Sequence, residues 1–312
     1  MEEIIKVTNL TKDYKKGRGI FNFNFSINQG EVFGLVGTNG SGKTTTIRHM
    51  MGFLKGNKGN VTIQGKDCWK KSAELKRLIG YVPGQIDFPD VGTGTAFLKI
   101  QADFLGLKDL TYMNNLIDRF KIDITAPLKT MSKGMKQKMA LVAAFMAEPD
   151  IYLLDEPSTG LDPLMRDTLI EVILEQKAKG KTIFMSSHIF KELEDTCDTV
   201  LFIKNGKIIN QVRRSEYEAN PLEQYEIRFA TREEYERYTK DSQHQSTAQV
   251  GQQYLVSKFK EQKSVILSIP QSQLNEFMLN LSRYQLQSIN NASYTLEKYY
   301  IEMIESEDEK ND

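Results

Sequence analysis

Gly37-Thr38-Asn39-Gly40-Ser41-Gly42-Lys43-Thr44 follows a strand-like run, Glu31 to Val36, and opens a helix-like run, Thr44 to Met51. In that strand–loop–helix setting, G-x-x-x-x-G-K-[ST] is a phosphate loop. Its glycines let successive backbone N–H groups turn inward as an anion-binding nest, and the helix that Thr44 and Thr45 begin adds its positive end. Lys43 can reach the terminal phosphates, and the Thr44 hydroxyl can ligate Mg²⁺. A plain glycine-rich turn would not need Lys-Thr in this register, so the stretch predicts binding of a nucleoside triphosphate.

Composition sets bounds on the rest. The chain has 312 residues, with 41 Lys+Arg against 41 Asp+Glu, room for one large domain and a smaller one without a global field for nucleic acid or anionic lipid. Cys68 and Cys197 are far apart and lack metal-ligand spacing, which predicts incidental thiols in a reducing compartment. Met1 to Lys6 has no basic region followed by an apolar core, so no secretion signal is expected, and no apolar run is long enough to span a bilayer. Asn291-Ala292-Ser293 is accordingly expected to stay unglycosylated.

Periodicity supplies the organisation. Phe21, Phe23, Phe25 and Ile27 alternate with polar residues, the pattern of a half-buried strand. Short apolar runs at Glu31–Val36, Ile151–Leu154, Thr182–Met185 and Thr199–Ile203, with helical patterns between them, predict a parallel sheet covered on both faces. Residues 89–148 read as an inserted helical lobe. The first domain is expected over 1–212, closing with a turn after Gly206 and the run Ile208-Ile209. Over 213–312, strands at Tyr225–Phe229 and Ser264–Ile269 and helical spacing of Leu274, Phe277, Met278 and Leu281 predict a small α+β domain. Leu296, Tyr299, Tyr300 and Met303 also fall at helical spacing; Asp241–Gln253 reads as a loop and Glu305–Asp312 as an acidic, frayed end. The apolar stripes of this tail read as core.

Ile151-Tyr152-Leu153-Leu154-Asp155-Glu156 is a buried strand ending in two carboxylates. Asp155 is placed for a Mg²⁺ shell, and Glu156 can polarise a water for in-line attack on a γ-phosphate. Strands often end in acidic turns, but this one shares a chain with a phosphate loop.

The residues that follow make the pattern specific. Asp155-Glu156-Pro157-Ser158-Thr159-Gly160-Leu161-Asp162-Pro163 resembles the carboxylate strand and subunit-contact loop of ATP-binding cassette (ABC) ATPases. Met131 to Lys138 occupies the place of that family's signature motif, Ser186-Ser187-His188 that of its switch histidine, and Tyr14 that of an aromatic stacking on adenine. The resemblance covers about two-thirds of the chain with every motif in order. It implies an α/β fold: a P-loop NTPase core, an N-terminal antiparallel β subdomain, the helical lobe and the small C-terminal domain. It further implies that Ser132 and Gly134 contact a γ-phosphate held by a second subunit, since a Ser-x-Gly opening a helix offers a hydroxyl, free N–H groups and a dipole end. His188 would sense γ-phosphate. By themselves Ser132 reads as a helix cap and His188 as a core histidine.

Departures from the family pattern are Lys133 and Met135 in the signature and Thr38 in the phosphate loop. In Ile79-Gly80-Tyr81-Val82-Pro83-Gly84-Gln85 the family's metal-contacting glutamine would directly follow Pro83, where this chain has Gly84. Either Gln85 serves after a one-residue shift that a positive φ at Gly84 permits, or the role is absent.

The reading that results is an ATP- and Mg²⁺-dependent ATPase subunit of a membrane transporter. It is expected to pair head to tail with a second ATP-binding subunit, identical or different, and to act through a separate transmembrane permease at the cytoplasmic face of the membrane. Tyr294 to Tyr300 resembles the C-terminal extension of ABC-2-type exporters, which implies export. No nucleic-acid partner is expected. A soluble ABC protein acting on nucleic acid or ribosomes is the competing class; it would typically show twin cassettes or a long coiled coil, and neither pattern is present. A regulatory module without catalysis would have no need of Glu156 and His188.

Overall fold

The computed structural model describes residues 2–218, 222–244, 255–291, 295–298 and 300. By internal contacts the chain divides into two compact units, Met1–Arg214 and Ser215–Asp312.

In the first unit, β1 (Glu3–Asp13) and β2 (Gly19–Asn28) form an antiparallel ribbon that β4 (Lys58–Ile63) and β5 (Lys66–Asp67) extend in the order β2-β1-β4-β5. The expected alternation along β2 holds for Phe23, Phe25 and Ile27, which are buried, but not for Phe21. Asn22 adopts φ +55°, and the β1–β2 register shifts between Leu10 and Lys12. The extra residue turns Ile20 inward in place of Phe21, as a bulge does.

The second sheet carries β3 (Val32–Gly37), β6 (Ile79–Val82), β7 (Ile151–Asp155), β8 (Thr182–Ser187), β9 (Thr199–Lys204) and β10 (Lys207–Arg213) in the order β10-β9-β3-β8-β7-β6. All pairs are parallel except β9–β10. Every residue of β3, β7 and β8 is buried, which is why these strands read as unbroken apolar runs. Phe25 of the first sheet stacks on Phe33 and Phe184 of the second at centroid separations of 5.4 and 6.2 Å. Each ring contributes about 2–3 kcal/mol of burial, so this stack ties the two sheets together.

Helices cover the parallel sheet: α1 (Lys43–Met50), the short α2 (Ser72–Leu75), α6 (Pro163–Ala178) and α7 (Phe190–Thr196). Between β6 and β7 lie α3 (Gly94–Leu105), α4 (Thr111–Phe120) and α5 (Lys133–Phe145). Local chemistry sets their ends. Thr93, Ser132 and Asp162 cap α3, α5 and α6 through side-chain oxygens, and Gly106, at φ +69°, ends α3. Cys68 and Cys197 are buried free thiols, and burial pushes both up to about 12.

After α8 (Arg214–Glu218), the second unit is a four-stranded antiparallel sheet of β11 (Leu222–Phe229), β12 (Leu255–Phe259), β13 (Ser264–Pro270) and β14 (Leu286–Asn291), ordered β12-β13-β11-β14. Its helices are α9 (Arg232–His244) and α10 (Leu274–Leu281). Phe229, Tyr235, Tyr238, Leu267, Phe277 and Leu281 make its core. The loop expected over Asp241–Gln253 is in part helix: α9 continues to His244, its buried Tyr235 and Tyr238 anchoring it to the sheet, and residues 245–253 lie outside those described. So do Ala292–Tyr294, Tyr299 and everything from 301 onward, including Met303, Ser293 of the glycosylation-type triplet and the acidic end.

Candidate functional site

The chemistry-bearing segments lie at the carboxyl ends of adjacent strands, where open α/β sheets bind ligands. β3 ends in the phosphate loop, β8 leads into His188, β7 ends at Asp155, and β6 leads to Gln85.

In the phosphate loop, Thr38, Asn39 and Gly40 are exposed, while Ser41 and Lys43 are buried. The Ser41 N–H donates to the Thr38 carbonyl at 3.1 Å, closing the turn. Gly42 caps α1 at φ +116°, and a Cβ there would stand 2.4 Å from the Ile20 side chain, so only glycine fits. Thr44 is exposed and Thr45 half-buried in the first turn of α1. Tyr14 is 48% exposed, with the Lys12 ammonium 5.7 Å from its ring centroid. Its turn, closed by Tyr14 N–H to Arg18 O at 2.9 Å, leads into Ile20 against Gly42. Tyr14 thus stands exposed on the turn that precedes the strand packed against the phosphate loop.

Lys43 Nζ donates to the Gly37 carbonyl at 2.8 Å and lies 3.3 Å from Glu156 Oε1. The other oxygen of Glu156 is 3.4 Å from His188 Nδ1 and 3.4 Å from the Thr159 hydroxyl. Lys43, Glu156 and His188 therefore meet, although they come from three strand ends. Asp155 is fully buried, and its Oδ1 accepts the Ser186 hydroxyl at 2.7 Å. Its Oδ2 is buried with no hydrogen-bond partner among the described residues. A buried carboxylate oxygen left without a donor suits a cation, so the donor set of Asp155 and Thr44 fits a hard divalent metal.

Gln85 is exposed and shares a cavity with Glu156, Thr159, Gln137 and Lys133. Gly84 does not have the positive φ that the sequence reading invoked. It matters through closeness instead, since a Cβ at Gly84 would stand 2.8 Å from Asp155 Oδ2. Ser132 caps α5, its Oγ accepting from Met135 N–H at 3.2 Å, and it is exposed. Gly134 lies in the first turn against the Gly160 carbonyl. Neither lines the cavity beside Glu156 of the same chain.

Two residues of this neighbourhood escaped sequence reading. Ser186 orients Asp155 and also accepts the Glu156 N–H at 3.1 Å. Buried Gln137 donates to the Pro157 carbonyl at 2.7 Å, joining α5 to the loop after Glu156. The available signal was their place inside the Ser186–His188 and Met131–Lys138 segments.

Among known proteins, the family model described as ABC transporter matches residues 20–159. The bacitracin transport ATP-binding protein BcrA of Bacillus licheniformis is 33% identical over 215 residues, 68% of this chain and 70% of that protein. A solved structure described as the ATP-binding subunit of an ABC transporter is 31% identical, with a TM-score of 0.63 over 69% of this chain and 92% of that one. The ATP-binding cassette MJ0796, solved as a dimer bound to ADP and Pi, shares the fold at a TM-score of 0.60 and 21% identity over 68% of this chain and 99% of its own.

Proposed function

The chain belongs to the ABC transporter family and is an ATPase, and from that premise we propose that it is the energy-supplying subunit of a bacterial exporter whose membrane-spanning part is a separate polypeptide. One observation carries the coupling. Gly84, Gln85 and Ile86 line the cavity beside Glu156, while Ile86, Asp87, Phe88 and Pro89 line an apolar groove between the strand end and the helical lobe. A single short segment thus touches both the reacting centre and a surface suited to an apolar partner. Phe104, 74% exposed, stands on that groove. Similarity to a protein named for bacitracin transport supports a transport role.

In the mechanism we propose, the phosphate loop and Lys43 bind the phosphates, and the Tyr14 ring stacks on adenine. Mg²⁺, held by Asp155 and Thr44 with Gln85 as a further contact, would offset phosphate charge. Glu156 takes a proton from the attacking water as the new P–O bond forms and the β–γ bridging bond breaks, the electron pair leaving on ADP. His188 holds Glu156 and senses the γ-phosphate. Ser132 and Gly134, which do not line their own chain's cavity, address the nucleotide of a second cassette packed head to tail, in two equivalent sites. The assembly would sit at the cytoplasmic face of the membrane.

The test is purification of the full chain from native membranes in mild detergent. A co-purifying integral membrane protein that alters its ATPase rate supports the reading. Co-sedimentation with ribosomes or nucleic acid, with no membrane protein bound, overturns it.

A further inference from the structure

Glu192 is a carboxylate only 2% exposed, and the chemistry above makes no use of it. It lies near the start of α7, and its Oε2 accepts the Ser187 hydroxyl at 2.8 Å. Ser187 Oγ in turn accepts the Ile189 N–H at 2.9 Å. The residues on either side of His188 are thereby fastened to one buried anion. On its other side, Glu192 Oε1 stands 3.2 Å from Arg166 Nε, a close ion pair whose atoms are not aligned as a hydrogen bond. Arg166 belongs to the first turns of α6, the helix that Asp162 caps at the end of the loop from Glu156. A carboxylate is costly to bury unless paired. Here the pairing ties the segment holding His188 to the helix that follows Glu156, the two groups that meet at 3.4 Å.

His188 needs such a brace. Its side chain is 55% exposed, and among the described residues its closest polar contact is the 3.4 Å approach to Glu156. With little packing on the imidazole, its direction depends on the backbone of 187–189. We propose that Glu192, held by Arg166, is a positioning residue: through Ser187 it fixes the backbone around His188 so that the imidazole faces Glu156 and the γ-phosphate. This rests on the reading of His188 as a group acting at the nucleotide.

The test uses the full chain and separates ATP affinity from the single-turnover rate of ATP cleavage. Glu192→Ala and Ser187→Ala should each slow cleavage about tenfold or more, the effect of losing a hydrogen bond to a charged group. ATP affinity should stay within about twofold, because the phosphate loop is untouched. Glu192→Gln keeps an oxygen for Ser187 and should recover most of the rate. Adding Glu192→Ala to His188→Ala should cost nothing beyond His188→Ala alone, because the brace acts through that histidine. Additive losses in the double variant, or affinity falling in step with rate, would make the role merely structural and overturn the proposal. Should Glu192→Ala fail to fold, Ser187→Ala bears the same test. Wild-type cleavage in Ser187→Ala with slow cleavage in His188→Ala removes the brace alone. Wild-type cleavage in His188→Ala removes the underlying reading of the histidine as well.

Discussion

The ammonium of Lys43 lies 3.3 Å from Oε1 of Glu156, joining the start of α1 to the end of β7 across 113 positions of sequence. The contact is held at a conformational cost. Glu156 sits at φ +49°, a left-handed conformation costing on the order of 1–3 kcal/mol for a residue with a side chain. Its N–H bonds to Ser186 from both the carbonyl and the hydroxyl, which keeps it there. Strain concentrated at this carboxylate fits a group that must be aimed.

Glu156→Gln is expected to bind ATP at least as well as the wild type, because Lys43 loses an anionic competitor for phosphate. Hydrolysis should fall on the order of 10²- to 10⁴-fold, since an amide is a poor proton acceptor. Turnover by phosphate release, beside affinity by calorimetry, checks both halves. Near wild-type turnover would remove Glu156 from the reaction.

Lys43→Ala acts earlier, at binding, because it deletes the buried cation that the loop directs at the phosphates. Calorimetry should show ATP affinity reduced by an order of magnitude or more. An unchanged dissociation constant would contradict the phosphate-site assignment of this lysine.

Ser132, exposed at the tip of α5, is expected to serve a second chain's nucleotide. Chains carrying Ser132→Arg and chains carrying Lys43→Ala should each be nearly inactive. Mixing them builds one dimer site from the intact phosphate loop of the first and the intact Ser132 of the second. ATPase activity that appears only on mixing is the expected outcome; activity in Ser132→Arg alone at the wild-type rate would refute the shared site.

Gln85→Ala should lower turnover several-fold with ATP affinity nearly intact, since the side chain enters the cavity of Glu156 and not the phosphate loop. Stimulation by the membrane partner should fall with it, because the next residues line the apolar groove. Wild-type turnover and stimulation together would show that the chain works without a lid glutamine.

His49, one turn beyond Thr45, is buried with Nδ1 donating to the Thr45 carbonyl at 2.7 Å and Nε2 unpartnered. Burial, aided by Lys12 and opposed by that hydrogen bond, holds it below the ordinary value of 6.5. The unfolded chain therefore takes up a proton first as pH falls. Stability from this group is full above about pH 6.5 and is lost below it until the folded state's own lower value is reached. The thermal midpoint of the wild type should drop more between pH 7.5 and 5.5 than that of His49→Met. Parallel pH curves would place the acid sensitivity elsewhere.

Chemistry that depends on neighbours in the chain was legible in the sequence. The phosphate loop needs its glycines, Lys43 and Thr44 at fixed spacing, and the carboxylate pair needs only a buried strand ahead of it, so local pattern sufficed for the fold class and the family. The cap at Ser132 was similarly visible, because a cap is settled within one helical turn. Tertiary structure decided the rest. Which strand lies beside which is set by packing over the whole sheet, and only the order β3-β8-β7-β6 brings Lys43, His188, Asp155 and Gln85 to one edge. A positive φ at Gly84 was one of two alternatives the sequence left open, whereas the structure uses its missing side chain to approach Asp155. Phe21 read as core, yet the bulge at Asn22 gave that place to Ile20. Arg166 and Glu192 carry no motif of their own, and Ser186 carries no role that its motif announces. Their roles exist only because folding buries them beside charges distant in the chain, where an unpaired polar group is costly enough to select its partner.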